Sequence, residues 1–138
     1  MAEIDQVLKQ LDELFAKGDT GKIQSFLEEK IVCFTENNNK DNLITMLNEM
    51  IGFCRDMGHF EKGDRYCKTL FDIVNEVPYK GTIAYATTLL NIANFNRAYK
   101  QYELSERLYL EVLPIYEKYL EVNDFRYASY YNNLSLLY

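Results

Sequence analysis

The chain has 138 residues, 48% apolar and 26% charged, with a net charge of −6. That size suits one domain or one short array with a real core. The acidic balance excludes the basic footprint that a nucleic-acid partner needs, and no apolar run nears the roughly 20 residues that span a bilayer.

Seven amphipathic helical segments can be read in order, each with apolar residues three and four apart. The first, over about 3–17, puts Ile4, Val7, Leu8, Leu11, Leu14 and Phe15 on one side, and Gly18 ends it as a left-handed cap. The second, about 20–35, buries Ile23, Phe26, Leu27, Ile31 and Phe34. A turn follows at Asn37-Asn38-Asn39, whose side chains compete for backbone hydrogen bonds. The third helix is expected to start near Asp41 or Asn42 as N-cap and to stop at Met57-Gly58.

The fourth covers about 60–76, until Val77-Pro78-Tyr79-Lys80-Gly81 breaks it. Thr82 caps the fifth, about 83–99. The sixth runs over about 102–122, and Asn123-Asp124 caps a seventh that reaches Tyr138. Pro114 lies inside the sixth, where it removes a bond to the Leu110 carbonyl. A kink without a break is expected there. The short connectors make each pair a helical hairpin, and strand-like alternation is absent.

The cysteines Cys33, Cys54 and Cys67 lack the paired short spacing of zinc or redox motifs. They read as free, mostly buried thiols, which points to a reducing cytoplasmic setting. Met1-Ala2-Glu3-Ile4-Asp5 has no basic-then-apolar order of a secretory signal. No phosphate loop, nucleophile elbow or metal spacing appears, so no cofactor and no enzymatic activity is expected. His59 stands alone in a turn.

A repeat organises these segments. Tyr85-Ala86-Thr87-Thr88-Leu89-Leu90-Asn91-Ile92-Ala93 returns as Tyr127-Ala128-Ser129-Tyr130-Tyr131-Asn132-Asn133-Leu134-Ser135, an offset of 42 residues (127 − 85). At the same offset Leu47, Met50 and Ile51 match Leu89, Ile92 and Ala93, and Leu70 and Ile73 match Val112 and Ile115. Gly63 and Ser105 are both small, as a close crossing of two helices demands. One domain over 1–138 follows, made of a degenerate repeat (3–36), two repeats (41–78 and 82–122) and the first helix of a further, truncated one (124–138).

Ala86 to Ala93, then Arg97, then Tyr102-Glu103-Leu104-Ser105, resemble the tetratricopeptide repeat. The 42-residue spacing and the run Asn132 to Tyr138 are similar to its kinesin-light-chain-like branch. Lys100 in place of the usual turn glycine and Pro114 within a helix depart from the pattern. The resemblance implies an all-α, right-handed superhelical array of antiparallel helix hairpins. It also implies that the third, fifth and seventh helices line a concave groove that takes a peptide or protein segment.

On those helices the faces away from the core carry Asn48, Arg55, Thr87, Asn91, Asn94, Arg97, Asn132 and Asn133. The resemblance assigns Asn91 and Asn133 to a bound peptide backbone and Arg97 to a groove-facing basic position. An asparagine amide offers donors and an acceptor to an extended backbone, and arginine a planar fork to a carboxylate. Most of the 12 tyrosines read as core with a polar tip, while Tyr130 and Tyr131 read as the most exposed. Leu134, Leu136, Leu137 and Tyr138 leave an apolar, uncapped final helix. Two other readings follow: self-assembly of copies through that helix, and a peptide-sensing fragment of a larger regulator.

Overall fold

The computed structural model describes residues 2–138. It contains seven helices: α1 (Glu3–Lys17), α2 (Thr20–Glu36), α3 (Lys40–Met57), α4 (Phe60–Val74), α5 (Ile83–Ala98), α6 (Tyr102–Tyr119) and α7 (Phe125–Leu137). No strand occurs among the described residues. Three boundaries differ from the sequence reading by more than one residue. Asn39 caps α3, its Oδ1 accepting from the Asn42 amide at 3.2 Å, so neither Asp41 nor Asn42 does this. α4 stops at Val74, where the Asn75 side chain donates to the Phe71 carbonyl at 2.8 Å and competes with the helix. α6 stops at Tyr119, because Leu120 turns extended.

The turns show how local chemistry sets the hairpins. After α2, α3 and α5 the chain turns through one left-handed residue: Asn38 (φ 53°), Gly58 (φ 72°) and Lys100 (φ 65°). Each turn closes with the same two bonds: Asn38 to Thr35 and Asn39 to Phe34, Gly58 to Arg55 and His59 to Cys54, Lys100 to Arg97 and Gln101 to Asn96. This satisfies carbonyls that a helix end otherwise leaves open. Lys100 accepts a conformation that costs an ordinary residue roughly 1–2 kcal/mol. α6 continues unbroken through Pro114. Pro114 and Leu110 are both exposed, so water can serve the released carbonyl.

Packing follows the repeat. α2 lies against α3, α4 against α5 and α6 against α7, while α3, α5 and α7 follow one another in line. α5 touches α3, α4, α6 and α7 and is buried nearly all round. α1 packs on α2, and its Phe15 meets Phe53 edge-on with ring centroids 6.5 Å apart. The result is an all-α superhelical array of antiparallel hairpins.

The core residues Leu47, Met50, Leu70, Leu89, Ala93 and Val112 are all fully buried. Gly63 sits where α4 crosses its neighbours, and a Cβ there would lie 2.7 Å from Phe95 Cζ and 2.9 Å from Cys54 Cβ. Ser105, its repeat counterpart, is also buried, and its hydroxyl donates to the Ala93 carbonyl at 2.8 Å. Polar ties join the repeats at the edge. Lys62 bonds Glu28, Lys40 pairs with Glu76 at 2.7 Å, and the Tyr79 hydroxyl donates to Asp41 at 2.5 Å. Such exposed pairs contribute little to stability individually.

Tyr130 is wholly buried rather than exposed. It packs between Tyr109 and Tyr116, and its hydroxyl donates to the Tyr109 carbonyl at 2.8 Å. Tyr131 is half exposed. Cys33, Cys54 and Cys67 are free, the last two buried. No helix is long and apolar enough to cross a membrane among the described residues.

Candidate functional site

The polar residues singled out on α3, α5 and α7 form two linked groups. In the first, Asn91 Nδ2 donates to Asn48 Oδ1 at 2.8 Å. Asn48 Nδ2 in turn donates to Thr88 Oγ1 at 3.1 Å and to the Ile44 carbonyl at 2.9 Å. The α3–α5 seam is therefore tied by side-chain amides. Asn91 keeps its carbonyl oxygen and one N–H uncommitted.

The second group couples α5, α6 and α7. The Tyr109 hydroxyl donates to Asn94 Oδ1 at 2.5 Å and accepts from Arg97 Nε at 3.2 Å. Arg97 Nη2 reaches Asn133 Oδ1 at 3.5 Å, and Asn133 Nδ2 donates to the Ser129 carbonyl at 2.9 Å. Arg97 thus spends two of its five N–H donors on the protein and keeps three. Its guanidinium is held in orientation by Tyr109 and Asn133.

The remaining residues are placed less evenly. Asn94 is only 6% exposed, so it supports Arg97 from beneath through Tyr109 and offers little surface of its own. Thr87 is half-buried beside Tyr116, whose phenol is raised by burial while the bond to Thr87 opposes that shift. Arg55, at the position of Arg97 one repeat earlier, is half-buried and its Nε donates to Asp56 at 3.1 Å. Asn132 is exposed. Leu136 of α7 and Tyr138 just after it are exposed, whereas Leu134 and Leu137 are half-buried against the core.

Two residues escaped the sequence reading. Tyr109 falls among the tyrosines that read as core, and its hydroxyl organises Asn94 and Arg97. Glu49 occupies the place of Asn91 and Asn133 in the preceding repeat, a match that the 42-residue register contains (91 − 49). Burial pushes its carboxyl up, and the nearby Asp12 carboxylate adds to the shift. Among the described residues no cluster could hold a metal ion.

With this geometry in view, the chain can be set beside known proteins. No family model matches it, and no curated protein does. It is similar to a solved structure, described as the crystal structure of BtubC (BKLC) from P. vanneervenii. The fold is a TPR-like helical repeat. The TM-score is 0.83 at 23% identity, over 98% of this chain and 54% of the other. The chain therefore spans about half the length of that protein, and the likeness carries the architecture alone.

Proposed function

We propose that this chain is a non-enzymatic repeat module that binds an extended peptide or protein segment along the concave side of α3, α5 and α7. The observation that carries the reading is the pair of side-chain ties, Asn91 to Asn48 and Arg97 to Asn133. They hold amides and a guanidinium in place while leaving donors and acceptors for a ligand backbone or carboxylate. Asn91, Asn133 and Arg97 are the direct contacts in this reading, with Asn48, Arg55, Thr87 and Asn132 beside them. Asn94 and Tyr109 act as supports. Free thiols fit a reducing, cytoplasmic setting.

The test uses a peptide selected by display against the intact chain. The double variant Asn91→Ala with Asn133→Ala is expected to weaken that peptide by about 1–3 kcal/mol, since hydrogen bonds to a desolvated backbone are lost. Unchanged melting of the variant establishes that the fold is retained. Affinity kept within about 0.5 kcal/mol would reject the groove.

A second reading rests on a different observation: Phe125, Tyr131 and Leu136 of α7 and Tyr138 just after it are all more than half exposed. Exposed apolar side chains of this kind suit docking of a second copy through α7. Sedimentation over a dilution series decides it. A concentration-dependent dimer that Leu136→Glu dissolves supports docking, and a monomer at all concentrations removes it.

A further inference from the structure

On the opposite side of α5 from the tied asparagines, α4 and α6 stand apart and leave a cleft of about 210 Å³. Ile92 and Asn96 of α5 form its floor, Cys67 and Leu108 its walls, and Phe71 and Leu104 its rim. The wall on α4 carries Cys67 where the next repeat carries Tyr109, so a thiol fills less of the seam than a phenol ring would. Burial pushes that thiol up to about 12, which leaves it an apolar wall and no nucleophile.

The floor has one polar feature. Asn96 is 3% exposed, and its Nδ2 donates to the Ile92 carbonyl at 2.9 Å. Its amide oxygen takes no hydrogen bond from the described residues, although no polar side-chain atom is both fully enclosed and unpaired. That oxygen is therefore unpaired without being fully enclosed, on a residue that lines the cleft. At the mouth, Lys68 is engaged by Asp64 at 3.1 Å, and Asp72 adds a second carboxylate. The cleft offers apolar walls, an acceptor at the bottom and negative charge at the rim.

We propose that this cleft receives a tryptophan side chain from a partner protein, flanked on that partner by lysine or arginine. Indole is apolar, planar and a donor without acceptor, so its N–H satisfies the Asn96 oxygen and brings nothing left unpaired. A phenol could donate to the same oxygen, but indole carries the larger apolar area for these walls to bury. The space is smaller than a pocket for a whole drug-sized ligand and fits one tethered side chain. Basic neighbours would meet Asp64 and Asp72. The chain itself contains no tryptophan, so the indole must come from elsewhere.

The same absence provides the readout, because any indole emission comes from the probe. The peptide acetyl-Lys-Trp-Lys-amide is titrated against the full chain, with its N1-methyl-indole and Glu-Trp-Glu counterparts. Saturable blue-shifted emission is expected, with backbone amide shifts at Ile92, Asn96 and Leu108. Methylation of the indole nitrogen should weaken binding about fivefold or more, the loss of one hydrogen bond. The glutamate peptide should bind less well. Cys67→Phe, which fills the cleft, should abolish binding, while Asn91→Ala with Asn133→Ala should leave it unchanged. The proposal is overturned by an absence of saturable binding, by equal binding of the methylated probe, or by loss of binding in the Asn91/Asn133 variant. Should Cys67→Phe not fold, the two probe comparisons still decide.

Discussion

The hairpins α3–α4 and α5–α6 follow one register and fill it differently. At the close crossing the first has Gly63, with no room for a Cβ, and the second has Ser105, whose hydroxyl bonds the Ala93 carbonyl. At the turn the first has Gly58 and the second Lys100, both left-handed. On the second helix of each pair, Cys67 in one answers Tyr109 in the other. The earlier hairpin meets its neighbours by leaving atoms out. The later one adds polar groups that bond back, and one of them, Tyr109, orients Arg97. A repeat thus conserves spacing between helices while the means of achieving it varies.

The largest expected effect comes from breaking the omission. Gly63→Leu forces atoms against Phe95 and Cys54 and should cost about 3 kcal/mol or more, read from urea denaturation. Next is Tyr109→Phe, which strands the buried Asn94 oxygen and frees Arg97. A loss of about 2 kcal/mol is expected, together with changed side-chain NMR signals for Arg97. Ser105→Ala removes one buried hydrogen bond without adding volume and should cost about 1 kcal/mol by the same denaturation. The smallest effect has the opposite sign. Lys100→Gly relieves a left-handed lysine and should raise stability by roughly 0.5–1 kcal/mol after the added chain entropy of glycine. A destabilised Lys100→Gly would mean that the lysine side chain contributes something the turn geometry does not reveal.

Amphipathic spacing made the seven helices legible, because apolar residues three and four apart mark each buried stripe. It failed where that logic fails. α5 is covered on several sides, so polar residues there are buried too: Thr88, Asn94 and Asn96. Tyr130 stands in register with Thr88 and inherits the same buried place, which amphipathic reasoning assigned to solvent. The cap of α3 was misplaced because Asn37, Asn38 and Asn39 are chemically alike. They divide into α2 cap, left-handed turn and α3 cap only once the backbone is fixed. Of the polar surface, the residue types were legible, but their pairing was not. Asn48 with Asn91 and Arg97 with Asn133 are long-range ties that no local pattern encodes.

The central claim is most directly tested by mapping a display-selected peptide onto the isotope-labelled protein by NMR. Side-chain shifts at Asn91, Asn133 and Arg97 are expected, with intermolecular contacts along α3, α5 and α7. Contacts gathered on α1 and α2 alone, with those three side chains unmoved, would contradict it.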